Sequence, residues 1–234
     1  MPAETPRLLA FDSSTETLTI AVSGPAGDVV WAGPGGAAAS ATLLPQATRL
    51  LAGAGLAWAD LQGIAFGAGP GAFTGLRTAC AVAQGLAFGL GCPVLPLDSL
   101  ALVAEDSPWR DAPVWAAMDA RMDEVYAGVY RFTATGWAAE LPPALYTLPA
   151  LAERWRVQPP RCVAGSALAA FGDRLPLGNA ERQPQATDRA AALLRLAQQA
   201  WARGDAIAPA LALPLYLRDK VALTTAERQA RRAA

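Results

Sequence analysis

The chain has 234 residues, 53% of them hydrophobic, no histidine and a formal net charge of −1. This length and apolar fraction are enough for two lobes with a real core, and they argue against a disordered chain. The near-zero charge argues against a chain that clamps a nucleic-acid backbone by itself, and without histidine there can be no Ser/His/Asp triad, Cys/His triad or HExxH zinc site.

Cysteine usage and the longest apolar run indicate a cytoplasmic protein that does not cross a membrane. Cys80, Cys92 and Cys162 form no CxxC pair, and an odd number cannot all be joined in disulfides. They are typical of small buried side chains in a reducing compartment. The uncharged run 78–97 contains glycines and two prolines, which predict a helix and a short strand rather than a membrane span.

The first elements predicted are three strands joined by short turns, in the segments RLLAFDS, TLTIAVS and DVVWAG. Short connections of this kind favour an antiparallel meander. A helical pattern follows, with Pro45 tolerable in its first turn. Its apolar positions are Leu43, Leu44, Ala47, Leu50 and Leu51. A further strand is predicted at 61–66.

The stretch GAGPGAFTGLR, residues 67–77, joins that strand to a second helix, predicted from about Phe73 to Leu90 with Gly91 as its stop. Strand, glycine turn and helix is a layout that can aim backbone N–H groups at a phosphate. A P-loop would need a Gly-Lys-Ser/Thr ending, which FTGLR lacks. We therefore interpret the glycines as serving steric needs, where strand and helix approach closely. The segment PVLPLDS then predicts a short strand.

A second series of elements repeats the first. PVWAAMDA ends an apolar strand in a carboxylate, as RLLAFDS does, and an alternating strand, DEVYAGVYRF, again follows. Setting Asp12 on Asp119 places Leu18 on Val125. This internal repeat predicts a duplicated fold of two similar lobes.

The predicted domains follow from that repeat. We expect a first lobe at 1–106, a second lobe at 107–215 and a basic C-terminal tail at 216–234. The second lobe continues with a helix around 148–155, the strand RCVAGS and a long helix at 188–203. An acid at the start of that helix and Arg-Gly at its end are typical helix boundaries.

Two turns have the positions of phosphate loops in actin-like kinases, where an aspartate at Asp12 would hold a magnesium-bound water. In the second turn, DARMDE, Arg121 and Met122 stand where glycine would let a phosphate approach. We therefore predict vestigial loops, no catalytic residue, no metal and no cofactor. The vestigial positions are Asp12, Ser13, Ser14, Gly69, Gly71 and Asp119. The alternative is an active actin-like ATP-dependent kinase or ATPase.

Charge is scarce between residues 29 and 97. Only Arg49, Asp60 and Arg77 are charged there, although the overall charged content of 17% would give about twelve. A helix packed on one sheet normally keeps a charged outer face. On the second helix the large apolar residues fall on one side at 100° per residue, and a strip of small residues lies opposite. That strip consists of Thr78, Ala81, Gly85 and Gly89.

Two packing surfaces on one helix predict a docked partner that uses helix-on-helix packing, with deep burial inside a single domain as the alternative. Arg77 and Gln84 would form the polar edge of the interface. The predicted interface residues are Leu43, Leu44, Ala47, Leu50, Leu51, Thr74, Arg77, Thr78, Ala81, Gln84, Gly85 and Phe88.

Four segments resemble the TsaB family, also called YeaZ. They are LLAFDSSTETLTIAV, GAGPGAFTGLR, DARMDEVY and PLYLR, and they occur in order over nearly the whole chain. The GPGxFTGxR core is the specific part. This sequence departs from the family pattern at Ala72, where serine is common, and before Leu43, where a histidine is common.

The resemblance implies an α/β, actin-like (ribonuclease H-like), duplicated two-lobed fold with mixed sheets. It also implies a non-catalytic subunit that pairs with TsaD through the two helices of the first lobe. TsaD carries a histidine-held metal and transfers a threonylcarbamoyl group to the anticodon-adjacent adenosine of tRNAs that read codons beginning with A.

The resemblance further implies that TsaE, a small ATPase, joins the assembly, and that the chain forms homodimers when TsaD is absent. Contact with tRNA is expected only through the complex. An older classification of the family as metallopeptidases implies a protease. That activity is hard to credit in a chain without histidine.

Overall fold

The structure is a computed structural model that describes residues 5–218, so residues 219–234 of the predicted basic tail lie outside the described residues. The first half of the chain contains β1 (Leu8–Asp12), β2 (Thr17–Ser23), β3 (Val29–Pro34), α1 (Ala39–Gly53), β4 (Gly63–Gly69), α2 (Phe73–Leu90), β5 (Val94–Asp98) and α3 (Ser99–Asp106). The second half contains β6 (Val114–Asp119), β7 (Glu124–Thr133), β8 (Gly136–Thr147), α4 (Leu148–Val157), β9 (Cys162–Ala164), α5 (Ala167–Phe171), β10 (Glu181–Gln183) and α6 (Arg189–Arg203).

Both sheets have five strands in the same order. The first is β3-β2-β1-β4-β5, in which β1, β2 and β3 are antiparallel neighbours and β1, β4 and β5 run parallel. The second is β8-β7-β6-β9-β10, again with an antiparallel meander beside parallel strands. The predicted duplication into two mixed sheets is therefore confirmed.

The helices form three layers around the two sheets. Helices α1 and α2 cover the outer face of the first sheet, while α4 and α5 cover the outer face of the second. Helices α3 and α6 lie between the sheets, within one continuous core. Although α6 follows the second sheet in the chain, it packs on β1, β2, β3 and β5 of the first. The inner layer therefore joins the two halves of the fold.

Several helix ends are set by the local signals that the sequence shows. Gly91 ends α2 and Gly204 ends α6, both in the left-handed region with φ of 68° and 77°. Asp188 precedes α6, and its side chain accepts a hydrogen bond from the Ala191 N–H at 3.2 Å. These boundaries confirm the predicted ends of both helices.

Two helical features differ from the prediction. Helix α1 begins at Ala39, so Pro45 lies inside the helix rather than in its first turn. Helix α3 was not predicted, because it follows β5 directly and is buried along its whole length apart from Asp106. A short helix that is buried on every side carries no clear amphipathic pattern.

The alignment of Asp12 with Asp119 is wrong by one residue. Six residues separate Asp12 from its partner Thr19 on β2, whereas five separate Asp119 from Val125 on β7. Asp12 therefore lies on the inner face of the first sheet, together with Leu8 and Ala10. Asp119 lies on the outer face of the second sheet, together with Trp115 and Ala117. Leu18 and Val125 do match, because each packs in an outer core.

Candidate functional site

A cavity of about 770 Å³ lies between the ends of the two sheets. Its walls are the turn at 14–17, the glycine loop at 71–73, the turn at 118–121, residues 164–166 and the last described residues, 215–218. Three predicted phosphate-loop positions, Ser14, Gly71 and Asp119, line this cavity. Asp12 and Ser13 do not, because they are buried beneath the loop.

Asp12 at the end of β1 is completely buried and fully engaged. Its carboxylate accepts hydrogen bonds from the Ser14 backbone N–H at 2.8 Å and from the Ser14 hydroxyl at 3.0 Å. It also forms an ion pair of 2.6 Å with Arg189, whose side chain is only 10% exposed. A magnesium-bound water at Asp12 would have to displace Arg189 from this pair.

The glycine loop packs directly on the Asp12 turn. A Cβ atom at Gly71 would lie 2.5 Å from the carbonyl oxygen of Ser14, and one at Gly75 would lie 1.8 Å from that of Ser13. The Ala72 N–H donates to the Ser14 carbonyl at 2.8 Å, so backbone already occupies the space in front of the loop. The steric interpretation of these glycines is therefore confirmed.

A second glycine position in the loop faces the segment around Leu215. Gly69 has a φ of +118°, and the Gly69–Pro70 peptide bond is cis. A Cβ atom at Gly69 would lie 2.9 Å from the carbonyl oxygen of Leu215. The loop thus contacts two other segments of the chain at backbone distance.

The second turn adopts an unusual backbone conformation. Arg121, Met122 and Asp123 have φ values of 61°, 58° and 58°, in the left-handed region that residues other than glycine rarely adopt. Arg121 forms ion pairs with Asp119 at 3.3 Å and with Glu16 at 3.1 Å. The pair with Glu16 joins the two turns across the cavity.

Every arginine that lines the cavity is paired with a carboxylate. Arg189 pairs with Asp12, and Arg121 pairs with Asp119 and Glu16. Arg218 pairs with the Glu124 carboxylate and also donates to the Ala120 carbonyl at 2.9 Å. Within residues 5–218, the cavity wall therefore offers no unpaired arginine to a phosphate chain.

The last described segment, residues 208–218, is here called the C-terminal strap. It runs along α2 and then across the mouth of the cavity. The Gln84 side chain donates to the carbonyls of Pro209 and Ala212 at 3.2 and 3.1 Å, and the Leu215 N–H donates to the Ala68 carbonyl at 2.7 Å. This packing was not predicted from the sequence, where PLYLR served only as a family motif.

The outward face of α2 matches the prediction more closely than that of α1. On α2 the exposed predicted residues are Thr74, Arg77, Ala81, Gly85 and Phe88, and the half-buried ones are Thr78 and Gln84. Apart from the backbone of α2 itself, a Cβ atom at Gly85 or Gly89 would meet no atom of residues 5–218 within 4 Å. The strip of small residues on α2 is therefore open.

Four predicted interface residues on α1 face the sheet instead of the surface. Leu43, Ala47, Leu50 and Leu51 are all buried in the outer core of the first half. Only Leu44 among the five is exposed, at 42%. The apolar stripe at helical spacing is the one that covers the sheet, which corrects the assignment of these four residues to a surface.

Two polar residues predicted at the edge of the interface hold the C-terminal strap. The Arg77 guanidinium lies 4.0 Å above the Phe73 ring, and its Nε donates to the Tyr216 hydroxyl at 3.2 Å. The Gln84 amide is engaged by the strap carbonyls described above. Both side chains are therefore held in place before any partner arrives.

The cysteines, the acidic residues and the apolar helices give no sign of a reactive thiol, a metal site or a membrane span within residues 5–218. Cys80, Cys92 and Cys162 are free and buried, and burial raises the pKa of each thiol, which makes it a poor nucleophile at neutral pH. Within residues 5–218, no three His, Cys, Asp or Glu side chains are grouped so that they could share a metal ion. In the same part of the chain, no helix has the length and apolarity needed to cross a bilayer.

Comparison with known proteins places this geometry in a family. A family model described as TsaD, tRNA N6-adenosine threonylcarbamoyltransferase, matches residues 36–158, which run from just before α1 to the end of α4. The tRNA threonylcarbamoyladenosine biosynthesis protein TsaB of Escherichia coli (strain K12) is 34% identical over 191 residues, 77% of this chain and 80% of that protein. The chain belongs to the TsaB family.

Other TsaB-family comparisons agree. The protein of the same name from Haemophilus influenzae is 44% identical over 86 residues, 36% of each chain. A solved structure described as YeaZ from Pseudomonas aeruginosa has a TM-score of 0.81 and 36% identity, and it covers 91% of this chain and all of that one. The predicted actin-like, ribonuclease H-like fold with two mixed sheets is therefore confirmed.

Proposed function

We propose that this TsaB-family chain is a non-catalytic subunit that supports a TsaD-type transferase in the biosynthesis of tRNA threonylcarbamoyladenosine. The observation that carries the proposal is the open strip on α2. Ala81 and Gly85 are exposed there, and a Cβ atom at Gly85 or Gly89 would meet no atom of residues 5–218 outside the α2 backbone within 4 Å. Glycine inside a helix costs roughly 1 kcal/mol relative to alanine. Because the fold itself needs neither glycine, the strip favours a second helix that packs at close backbone distance.

The proposed surface combines this strip with the exposed side of α1. Arg49 is the only charged residue of α1, and Leu44 is an exposed apolar one. Both helices pack on the same sheet, so their outward sides lie in one layer of the molecule. A two-helix surface of this kind suits a four-helix contact with a subunit of related fold.

The ion pairs in and beneath the cavity wall favour a subunit that catalyses no reaction by itself. The carboxylate of Asp12, which would direct magnesium in an actin-like kinase, is buried and paired with Arg189. Since the other arginines of the cavity wall are paired as well, a nucleotide phosphate chain has no ready counter-charge there. Calorimetry should accordingly show no micromolar ATP binding by this chain alone, and such binding would contradict the proposal.

The remaining steps of the proposal come from the TsaB family. TsaD performs the transfer to the anticodon-adjacent adenosine of tRNAs that read codons beginning with A, and TsaE joins the assembly. The chain meets tRNA only within the complex, acts in the cytoplasm and pairs with itself when TsaD is absent. The division into a partner-binding lobe at 1–106 and a second lobe at 107–215 belongs to the same proposal.

Gly85→Arg tests the interface directly. The new side chain places length and charge on the strip, so we expect loss of co-purification with the TsaD-type protein of the same organism and at least a 100-fold weaker Kd by calorimetry. Because a Cβ atom at Gly85 meets nothing, the far-UV circular dichroism and thermal melt should stay close to wild type.

The matched control is Ala202→Arg, an equally large change at an exposed small residue on α6. It should bind the TsaD-type protein as the wild type does. If Gly85→Arg also keeps wild-type binding while remaining folded, the proposed interface is wrong.

A further inference from the structure

The C-terminal strap exposes leucine at alternate positions. Leu211, Leu213 and Leu215 are 67%, 74% and 39% exposed, whereas Ala212 between the first two is completely buried. The strap begins with a 3-10 turn at Pro209–Leu211 and then runs on without regular structure. A segment that only covered the domain would place polar side chains on its outward positions. Here the outward positions are apolar, and residues 206–217 contain no charge at all.

The strap is held firmly enough to present these side chains as a surface. The Gln84 amide donates to two strap carbonyls, and the Cys80 thiol lies 3.5 Å from the Ala212 carbonyl. Leu215 is joined to β4 by a backbone hydrogen bond of 2.7 Å, and Arg218 ties the end of the strap to the second half. The leucines are thus exposed on an anchored backbone.

The strap continues the outward face of α2. A hollow of about 300 Å³ separates the end of α2 from the start of the strap, with Phe88 on one side and Pro209 on the other. Phe88 is itself 62% exposed. Of the nine large apolar side chains that the described residues expose, five belong to α2 or the strap: Phe88, Leu211, Leu213, Leu215 and Tyr216.

We infer that the C-terminal strap is part of the docking surface and that the TsaD-type partner of α2 covers it. This inference rests on the proposed function and names a further part of the same interface. The open strip on α2 consists of alanine and glycine, which supply little area, while a stable interface buries roughly 800 Å² on each partner. Phe88, Leu211 and Leu213 supply the apolar area that the strip lacks.

The scarcity of charge on this surface indicates that its partner is a protein rather than a nucleic acid. Over α2 and strap residues 208–217 the only charge is that of Arg77, so the surface offers little to a phosphate backbone, which binds mainly through lysine and arginine. It fits a largely apolar protein surface of similar extent, with Arg77 at the polar edge, where the Tyr216 hydroxyl and the Phe73 ring already contact its guanidinium. Phe88 and the exposed leucines would supply the apolar contact area that such a partner covers.

Leu213→Asp tests the inference in the full chain. We expect the Kd for the TsaD-type partner, measured by calorimetry, to weaken about 30-fold, as for the loss of one well-buried leucine contact. Val157→Asp is the matched control, because Val157 is 78% exposed at the end of α4 on the opposite outer layer. That variant should bind as the wild type does. A double variant, Leu211→Ala with Leu213→Ala, repeats the test without adding a charge.

Each outcome separates this inference from the proposed function. If Leu213→Asp and the double alanine variant bind normally while Gly85→Arg does not, the strap lies outside the interface and the function stands. If Gly85→Arg also binds normally, both fall. If the strap variants weaken only self-association, measured by sedimentation, the strap contacts a second copy of this chain and our assignment of its occupant is wrong.

Discussion

Helices α1 and α2 cover the first sheet just as α4 covers the second, but the outward faces of these helices differ in charge. On α4 the exposed residues include Glu153 and Arg156, which form an ion pair of 3.0 Å, while Leu151 and Trp155 are buried. On α2 the outward strip consists of small uncharged residues around Gly85. The inner faces are alike because both must cover a sheet, so the difference lies in the outer faces, and the uncharged face of α2 is the one that favours the proposed partner contact.

The two turns at the strand ends show the same kind of difference. Asp12 is buried and paired with Arg189 in the inner layer, whereas Asp119 is partly exposed and paired with the exposed Arg121. Burial makes the first pair part of the core, while solvent screens the second. The comparison therefore predicts very unequal effects of breaking the two pairs.

Arg189→Met should have the largest effect of the changes proposed here. It leaves the Asp12 carboxylate buried without its counter-charge, which lowers the free energy of unfolding by about 3–5 kcal/mol. Arg121→Met removes an exposed pair and should lower it by less than about 1 kcal/mol. Urea denaturation of both variants measures the difference. Equal losses would mean that the two turns are not as different as their burial indicates.

Leu43→Ala and Leu44→Ala separate the two faces of α1. Leu43 is completely buried, so its truncation should lower the free energy of unfolding by about 3 kcal/mol. Leu44→Ala should change stability by less than about 1 kcal/mol and weaken binding of the TsaD-type partner about tenfold. Denaturation and calorimetry on the same samples check both effects. A Leu44→Ala chain that binds normally would remove α1 from the proposed surface.

Asp98→Asn tests the contact between Asp98 in the first half of the fold and Tyr130 in the second. Of the changes proposed here, it should have the smallest effect on stability. Burial raises the pKa of the Asp98 carboxyl, although hydrogen bonds from Tyr130, at 2.5 Å, and from the Leu100 and Ala101 N–H groups oppose the shift. The folded chain therefore keeps this proton to a higher pH than the unfolded chain does. The associated stability is fully present below the ordinary pKa and is lost as the pH rises through the raised one.

The measurement is urea denaturation of wild type and Asp98→Asn at several values between about pH 4 and pH 8. Subtracting the variant cancels the other titrating groups, and the stability of the wild type relative to the variant should fall as the pH rises. If the two curves stay parallel, the Asp98 carboxyl does not titrate differently in the folded chain.

The candidate site was only partly predictable from the sequence. The open strip around Gly85 followed from helical geometry, because α2 has more apolar positions than one sheet can cover. The same reasoning failed for Leu43, Ala47 and Leu50, since helical spacing identifies an apolar stripe but not which neighbour covers it. The position of Asp119 was missed by one residue, because sheet register depends on the turn that follows.

The sequence by itself determined every strand except β8 and β10, together with the ends of α2 and α6, the internal repeat and the family. These depend on residues close together in the chain, such as alternating apolar side chains and the left-handed glycines at 91 and 204. Only the tertiary structure decided that Arg189 neutralises Asp12, 177 positions earlier, and that the C-terminal strap lies along α2. Such contacts depend on the order in which strands join the sheets, and no local pattern encodes which distant segments that order brings together.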